Sequence, residues 1–139
     1  MTISLVVDAS FAYKLILPGE RQSEYIAKMT GWMQDGVELY APSLWIFELT
    51  SAFNKAVHFK VLTAEQGMDA LQLALLLQIQ LVAPDEQQVR LAYEWTRKLN
   101  RAAAYDSFYL ALAETLQAPF WTGDKRLCNA VAQPWANFL

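Results

Sequence analysis

Short β-prone runs separated by helix-length segments are the feature that most restricts the fold of this chain. The first run, residues 3–7 (I-S-L-V-V), is almost wholly apolar, as expected of a strand buried on both faces of a parallel sheet. Similar runs lie at residues 37–41, 78–82 and 119–122, and residues 135–138 are a candidate edge strand. Helices between short apolar strands predict an α/β fold with a mostly parallel sheet and right-handed crossovers.

Capping and helix-breaking residues give the expected limits of the helices. Ser10 is a candidate N-cap for the first helix, and Thr63 with Gln66 has the signature of a capping box. Gly36 ends the second helix, because glycine readily adopts the left-handed conformation. No linker or repeat interrupts the pattern, so we expect one domain over residues 1–139. The predicted helices span about residues 11–17, 20–35, 43–59, 64–77, 86–99, 104–117 and 125–132.

Composition excludes several kinds of site. One cysteine, Cys128, and one histidine, His58, argue against a disulfide framework, a zinc site and a Ser-His-Asp triad. We expect Cys128 to be a small buried hydrophobe and His58 to face solvent or helix-end carbonyls. The net charge of −3 argues against a general nucleic-acid binder, which is normally basic. The hydrophobic fraction, 55%, exceeds the usual ~45–50% and suggests that another chain covers part of the surface.

Neither a secretory signal nor a membrane span is expected. The first eight residues, M-T-I-S-L-V-V-D, lack a basic region followed by an apolar run of signal length. The most apolar segment, residues 71–83, contains three glutamines and is too short to cross a bilayer. We therefore expect a soluble, cytoplasmic protein.

Two aspartates directly follow predicted strands. Asp8 comes after the run 3–7, and Asp124 comes two residues after the run 119–122. Parallel sheets form their sites at the carboxyl ends of the strands, so both aspartates belong at one edge of the sheet. Each also has a structural alternative, because aspartate between a strand and a helix is a common N-cap.

Two further acids lie on or beside apolar helix faces. Glu48 has Leu44, Trp45 and Ala52 as its helical neighbours, and an ionised carboxylate there is costly unless paired or bound to metal. The alternatives are that its side chain turns to solvent or pairs with a lysine, Lys55 or Lys14. Asp106 faces Tyr109, Leu110 and Ala113, whereas Ser107, Glu114 and Gln117 lie on another face. The alternative for Asp106 is stabilisation by the helix dipole in the first turn.

The four carboxylates together predict a metal site. Four acids that converge in a low-dielectric cleft repel one another, and a hard divalent cation removes that conflict. Mg²⁺ takes oxygen ligands and completes its shell with water and substrate phosphate. Because the chain offers no histidine or cysteine cluster, oxygen-only ligation is what it can provide.

Four motifs lie in register along the chain: V-V-D-A-S at 6–10, A-P-S-L-W-I-F-E-L at 41–49, Y-D-S-F-Y-L-A-L-A at 105–113 and W-T-G-D-K-R-L at 121–127. Together they resemble the PIN-domain nucleases, in particular the VapC toxins of bacterial toxin–antitoxin pairs. The resemblance implies a three-layer α/β/α domain and a Mg²⁺- or Mn²⁺-dependent ribonuclease. It also implies a homodimer and a small antitoxin that inhibits it.

The resemblance also implies roles for particular residues. Asp8, Glu48, Asp106 and Asp124 match the acidic quartet that serves as metal ligands and catalytic groups, and Ser10 and Thr122 match hydroxyl positions that support the site. Cleavage would leave a 5′-phosphate and a 3′-hydroxyl.

Basic residues near the motif acids are candidates for contacts with RNA phosphates. Lys14, Lys125 and Arg126 are the three residues of this kind, and their alternative is solvated surface charge. The alternative function is an inactive PIN scaffold that binds protein or RNA. A phosphatase of the haloacid type is disfavoured, because Ser10 stands where such enzymes need a second aspartate.

Overall fold

A sheet of five parallel strands forms the centre of the computed structural model, which describes residues 2–139. The spatial order of the strands is β3-β2-β1-β4-β5, and every neighbouring pair is parallel. The predicted terminal edge strand is confirmed, because β5 pairs with β4. The strands are β1 Ser4–Val7, β2 Glu38–Pro42, β3 Gln80–Val82, β4 Phe120–Thr122 and β5 Ala136–Phe138.

Seven helices in the described part of the chain flank this sheet, which confirms the predicted three-layer α/β/α architecture. None of the helices within residues 2–139 has both the length and the apolar character needed to cross a membrane. The helices are α1 Ala9–Ile16, α2 Gln22–Gln34, α3 Leu44–His58, α4 Ala64–Leu76, α5 Glu86–Lys98, α6 Tyr105–Leu116 and α7 Lys125–Val131.

Strand β1 is buried on both faces, as its apolar sequence predicts. Leu5 and Val7 point into one core, which they share with buried side chains of α1 and α2. Val6 points into the other and larger core, which contains buried side chains of α3 to α7. This alternation places the two cores on opposite faces of the sheet.

The strand order changes direction between β1 and β4. From β1 the chain proceeds to β2 and β3 on one side, whereas β4 and β5 lie on the other side. In parallel α/β sheets, a crevice that binds ligands forms outside the carboxyl ends of the strands at such a switch point. Asp8 follows β1 and Asp124 lies just past β4, so both lie at the carboxyl ends of the strands on either side of this switch point.

Two local predictions were wrong. The N-cap of α1 is Asp8, whose carboxylate accepts from the backbone N–H of Phe11, whereas Ser10 lies inside the helix. Ser107 is fully buried, although it was predicted on the polar face of its helix. It is buried because α5 packs there and the Thr96 hydroxyl donates to Oγ of Ser107 at 2.8 Å.

Candidate active site

Asp8 is held at the end of β1 by three donors. Oδ1 accepts from the Ser10 hydroxyl at 2.7 Å and from the backbone N–H of Phe11 at 2.9 Å. Oδ2 accepts from the hydroxyl of Thr122, the last residue of β4. Asp8 therefore caps α1 and also ties β1 to β4, so both interpretations of its position in the sequence describe part of its role.

Asp124 lies at the start of α7, in the turn that follows β4. Its Oδ1 accepts from the backbone N–H groups of Arg126 and Leu127. Asp124 is therefore the N-cap of α7, as the structural alternative for this residue predicted. The turn is fixed to α1, because the N–H of Gly123 donates to Oγ of Ser10 at 3.0 Å. These hydrogen bonds fix the position of the Asp124 backbone relative to the Asp8 backbone.

Glu48 is half-buried in the second turn of α3. Its Oε1 accepts a 2.6 Å hydrogen bond from the hydroxyl of Tyr109 on α6. Neither lysine that the sequence offered as a partner, Lys55 or Lys14, forms an ion pair with it within residues 2–139. Burial raises the pKa of the Tyr109 hydroxyl far above its usual value, so Tyr109 stays protonated and remains a donor to Glu48.

Asp106 lies in the first turn of α6, half-buried, and pairs with a residue that the sequence analysis missed. Nη1 of Arg101 donates to its Oδ2 at 2.8 Å. Arg101 belongs to the connection between α5 and α6, and its backbone N–H bonds to the carbonyl of Thr96 at the end of α5. In the sequence, Arg101 stands five residues before Asp106. Side chains that contact each other on a helix are three or four residues apart, so this spacing did not predict the pair.

Three of the four carboxylates bind protons more tightly than is usual for their type. Burial raises the pKa of Asp8 to about 6, against hydrogen bonds from Thr122, Ser10 and Phe11 that lower it, and the charge of Asp106 adds to the rise. Burial also raises the pKa of Glu48, with further contributions from Asp106 and Asp8. The pKa of Asp106 is raised by burial and by Asp124, and is lowered by Arg101. The four acids therefore share one electrostatic environment.

Comparison with known protein families gives a match over most of the chain. The PIN domain matches residues 5–132 of the chain. The chain belongs to the PIN domain family. PIN domains are nucleases, which hydrolyse phosphodiester bonds. No curated protein matches the chain.

Three solved structures share the PIN fold of this chain. PAE2754 from Pyrobaculum aerophilum has a TM-score of 0.69 at 19% identity, over 99% of this chain and 92% of that one. VapBC2 from Rickettsia felis, bound to a DNA fragment from its promoter, has a TM-score of 0.71 at 12% identity, over 99% and 98%. VapC20 from Mycobacterium tuberculosis, described as a Sarcin-Ricin loop cleaving toxin, has a TM-score of 0.64 at 13% identity, over 86% and 87%.

The carboxylates of this PIN domain fit a hard divalent cation in their chemistry. A carboxylate has about four acceptor sites, so Asp8 keeps lone-pair capacity beyond its three donors. Burial is the main cause of the raised pKa values of Asp8, Glu48 and Asp106, and a cation would relieve the mutual repulsion that adds to it. Nevertheless, no group of three or more His, Cys, Asp or Glu side chains within residues 2–139 is arranged to hold a metal ion. The guanidinium of Arg101 contacts one of the four acids, Asp106.

The three predicted phosphate-binding residues of the PIN domain differ in position. Nζ of Lys14 donates to the carbonyl of Gly123, so Lys14 stabilises the turn that carries Asp124. Lys125 and Arg126 are exposed at the start of α7, directly after Asp124. Lys125 and Arg126 are therefore not held by the hydrogen bond that fixes Lys14.

The single histidine, His58, and the single cysteine, Cys128, lie on helices α3 and α7 and make none of the contacts described above for the four acids. His58 is the last residue of α3 and packs edge-on against Phe59. Cys128, half-buried on α7, directs its Sγ to the carbonyl of Ala136, and burial raises the pKa of its thiol. A neutral, partly buried thiol agrees with the predicted structural role of Cys128.

Proposed function

We propose that this protein is a Mg²⁺- or Mn²⁺-dependent endoribonuclease and the toxin of a toxin–antitoxin pair. The proposal takes residues 1–139 as one PIN domain that acts in the cytoplasm. The observation that carries it is the shared electrostatic environment of Asp8, Glu48, Asp106 and Asp124, which come from four different parts of the chain. Carboxylates with raised pKa values, such as Asp8, Glu48 and Asp106, are typical of functional sites.

Each side chain has a stated role in the proposed reaction. Asp8 and Asp106 are the principal metal ligands, and Glu48 and Asp124 complete the first or the second shell. Bound metal would activate a water molecule and polarise the phosphoryl group. The hydroxyls of Ser10 and Thr122 fix the rotamer of Asp8.

The remaining polar residues of the site position these ligands and the RNA. The hydroxyl of Tyr109 orients Glu48, and Lys14 holds the turn that presents Asp124. Lys125 and Arg126 are free to contact RNA phosphates on either side of the cut bond.

The toxin part of the proposal is supported by the structures that share the fold. VapC20 is described as a toxin that cleaves the Sarcin-Ricin loop, and VapBC2 is a complex on promoter DNA. By analogy, we expect a small antitoxin to bind this chain and block its site. Co-expression with a small reading frame adjacent to the gene, followed by co-purification and loss of RNA cleavage, tests this expectation.

The catalytic proposal is tested with single-stranded RNA and the purified protein in Mg²⁺, Mn²⁺ or EDTA. We expect cleavage with either metal and none in EDTA, and loss of cleavage in Asp8→Asn and Asp106→Asn with the fold retained. Asp85→Asn is the matched control, because Asp85 is also an aspartate N-cap but is exposed at the start of α5. Full cleavage by Asp8→Asn or Asp106→Asn would refute the site assignment.

We also propose a homodimer, which is supported by exposed apolar side chains. Sedimentation equilibrium should then give about twice the chain mass of 15.8 kDa. A single species at the monomer mass at micromolar concentration would contradict the dimer. The side chains that suggest a covered surface, all at least 56% exposed, are Val61, Met68, Leu75 and Leu76.

An inactive scaffold remains the alternative function, and two observations favour it. Arg101 already pairs with Asp106, and no metal-holding group is formed within residues 2–139. Calorimetric titration with Mn²⁺ separates the two functions, because a scaffold should bind the ion weakly or not at all.

A further inference from the structure

An exposed aromatic residue directly precedes each of the two site acids that lie on helices. Phe47 precedes Glu48 on α3 and is 69% exposed, and Tyr105 precedes Asp106 at the start of α6 and is 67% exposed. Both rings line one cavity of about 360 Å³, whose lining also includes Glu48. The cavity is therefore continuous with the candidate active site.

The lining of this cavity combines aromatic, polar and cationic groups. Leu44 adds apolar surface beside the two rings, Ser51 adds a hydroxyl, and Lys55 adds a positive charge. Two exposed aromatic rings beside one cavity are typical of a surface that a ligand or a partner covers. A flat, polar ring attached to a phosphate matches this combination of groups.

We infer that this cavity, lined by Leu44, Phe47, Glu48, Ser51, Lys55 and Tyr105 and here called the aromatic cavity, binds one unpaired base of the RNA beside the cleaved phosphate. The inference rests on the proposed ribonuclease function and adds the place on this chain where one base of the RNA binds. Proteins recognise single-stranded RNA by stacking splayed bases on aromatic side chains.

Size and charge favour a base over a protein segment. Ligand pockets range from about 300 to 1,000 Å³, and the aromatic cavity is at the lower end, which suits one nucleoside better than a helix of a partner. Lys55 places a cation within reach of the phosphate that would link this base to the next nucleotide. Because Glu48 also lines the cavity, a base bound there lies next to the phosphodiester bond that is cleaved.

The decisive variants remove the aromatic ring and keep its apolar bulk. We expect Phe47→Leu and Tyr105→Leu each to weaken binding of short single-stranded RNA, measured in EDTA, by about 5- to 150-fold, since stacking contributes about 1–3 kcal/mol per base. Phe47→Tyr, which keeps a ring, should bind RNA like the wild type. Phe59→Leu and Tyr93→Leu are matched controls, because both rings are exposed, at 72% and 61%, but do not line the cavity.

A fluorescent base gives a readout specific to stacking. RNA that carries 2-aminopurine at the nucleotide beside the cleaved bond should change its fluorescence on binding the wild type, and not on binding Phe47→Leu or Tyr105→Leu. Binding and fluorescence equal to wild type in both variants would overturn the inference. A dimer that dissociates in these variants while RNA affinity is unchanged would also overturn it, and would assign the cavity to a protein interface.

The same experiments distinguish this inference from the proposed function. If the wild type cleaves RNA with Mn²⁺ and both leucine variants bind RNA normally, the inference fails and the ribonuclease function stands. If the wild type binds RNA through the aromatic cavity but does not cleave it with either metal, the proposed function fails.

Discussion

Asp8 is a residue whose chemistry depends strongly on its surroundings. Burial raises the pKa of its carboxyl to about 6 from an ordinary value of 3.8. The folded state therefore binds the proton more tightly than the unfolded state, and stability falls as pH rises through the interval between about 4 and 6. Above pH 6, without metal, ionised Asp8 costs about 3 kcal/mol of stability, because one pKa unit corresponds to about 1.4 kcal/mol.

Replacement of Asp8 by asparagine should remove this pH dependence. We expect Asp8→Asn to raise the free energy of unfolding at pH 7 in EDTA, since asparagine is also a good N-cap and carries no buried charge. The advantage over the wild type should shrink as the pH falls to about 4, where the wild-type carboxyl is protonated. Urea unfolding at several pH values measures it, and a pH-independent difference would contradict the prediction.

Arg101 is the residue expected to compete with metal. Its guanidinium contacts Oδ2 of Asp106 at 2.8 Å, and both side chains are about one-third exposed. Because partly exposed ion pairs contribute up to about 1 kcal/mol, Arg101→Gln should tighten Mn²⁺ binding up to about fivefold. Arg90→Gln is the control, since Arg90 pairs with Glu86 on the exposed face of α5. Calorimetric titration with Mn²⁺ measures the affinity, and unchanged or weaker binding by Arg101→Gln would exclude competition.

At the scale of elements, the close contact between α1 and the turn from β4 to α7 matters most. A Cβ atom added at Gly123 would lie 3.0 Å from the carbonyl oxygen of Ser10 and 3.1 Å from Cδ of Lys14. The contact is with helix backbone, so the turn or the helix must shift. Such a shift changes the relation between Asp8 and Asp124, because each lies at one end of this contact.

Gly123→Ala should therefore reduce both stability and cleavage. We expect a loss of about 1–3 kcal/mol of stability from overpacking, together with slower cleavage of RNA. In the control Gly31→Ala, the new Cβ meets nothing within 4 Å on helix α2, so stability should rise by up to about 1 kcal/mol. Thermal unfolding and a cleavage assay on both variants test the prediction, which fails if Gly123→Ala matches the wild type in both.

At the scale of the whole molecule, metal binding should couple to folding. The unfolded chain has no preformed group of carboxylates, so an ion that binds the folded state raises stability by about 2.7 kcal/mol at one hundred times its dissociation constant. For a domain of this size, that corresponds to a rise of several degrees in Tm.

Thermal unfolding with increasing Mg²⁺ or Mn²⁺ tests this coupling. We expect the rise in Tm to disappear in Asp106→Asn and to persist in Asp85→Asn, whose cap is exposed at α5. An equal rise in both variants would indicate that the ions bind elsewhere on this acidic chain.

Features that depend on neighbouring residues were predictable from the sequence. The apolar run at residues 3–7 predicted a doubly buried strand, and the capping box of Thr63 and Gln66 is present as predicted. Parallel strands have their carboxyl ends at the same edge of the sheet. The placement of Asp8 and Asp124 at that edge therefore also followed from the sequence. These signals act over a few residues or follow from the alternation of strands and helices, which is why they are readable without the fold.

Contacts between groups that are distant in the sequence depend on the folded arrangement of the whole domain. The bond from Thr122 to Asp8 joins residues 114 apart, and the bond from Tyr109 to Glu48 joins residues 61 apart. The strand order that makes these contacts possible is set by packing of the two cores and not by any local pattern. The same packing buries Ser107 and brings Arg101 to Asp106. It also raises the pKa values of Asp8, Glu48 and Asp106, because desolvation depends on everything that surrounds a group.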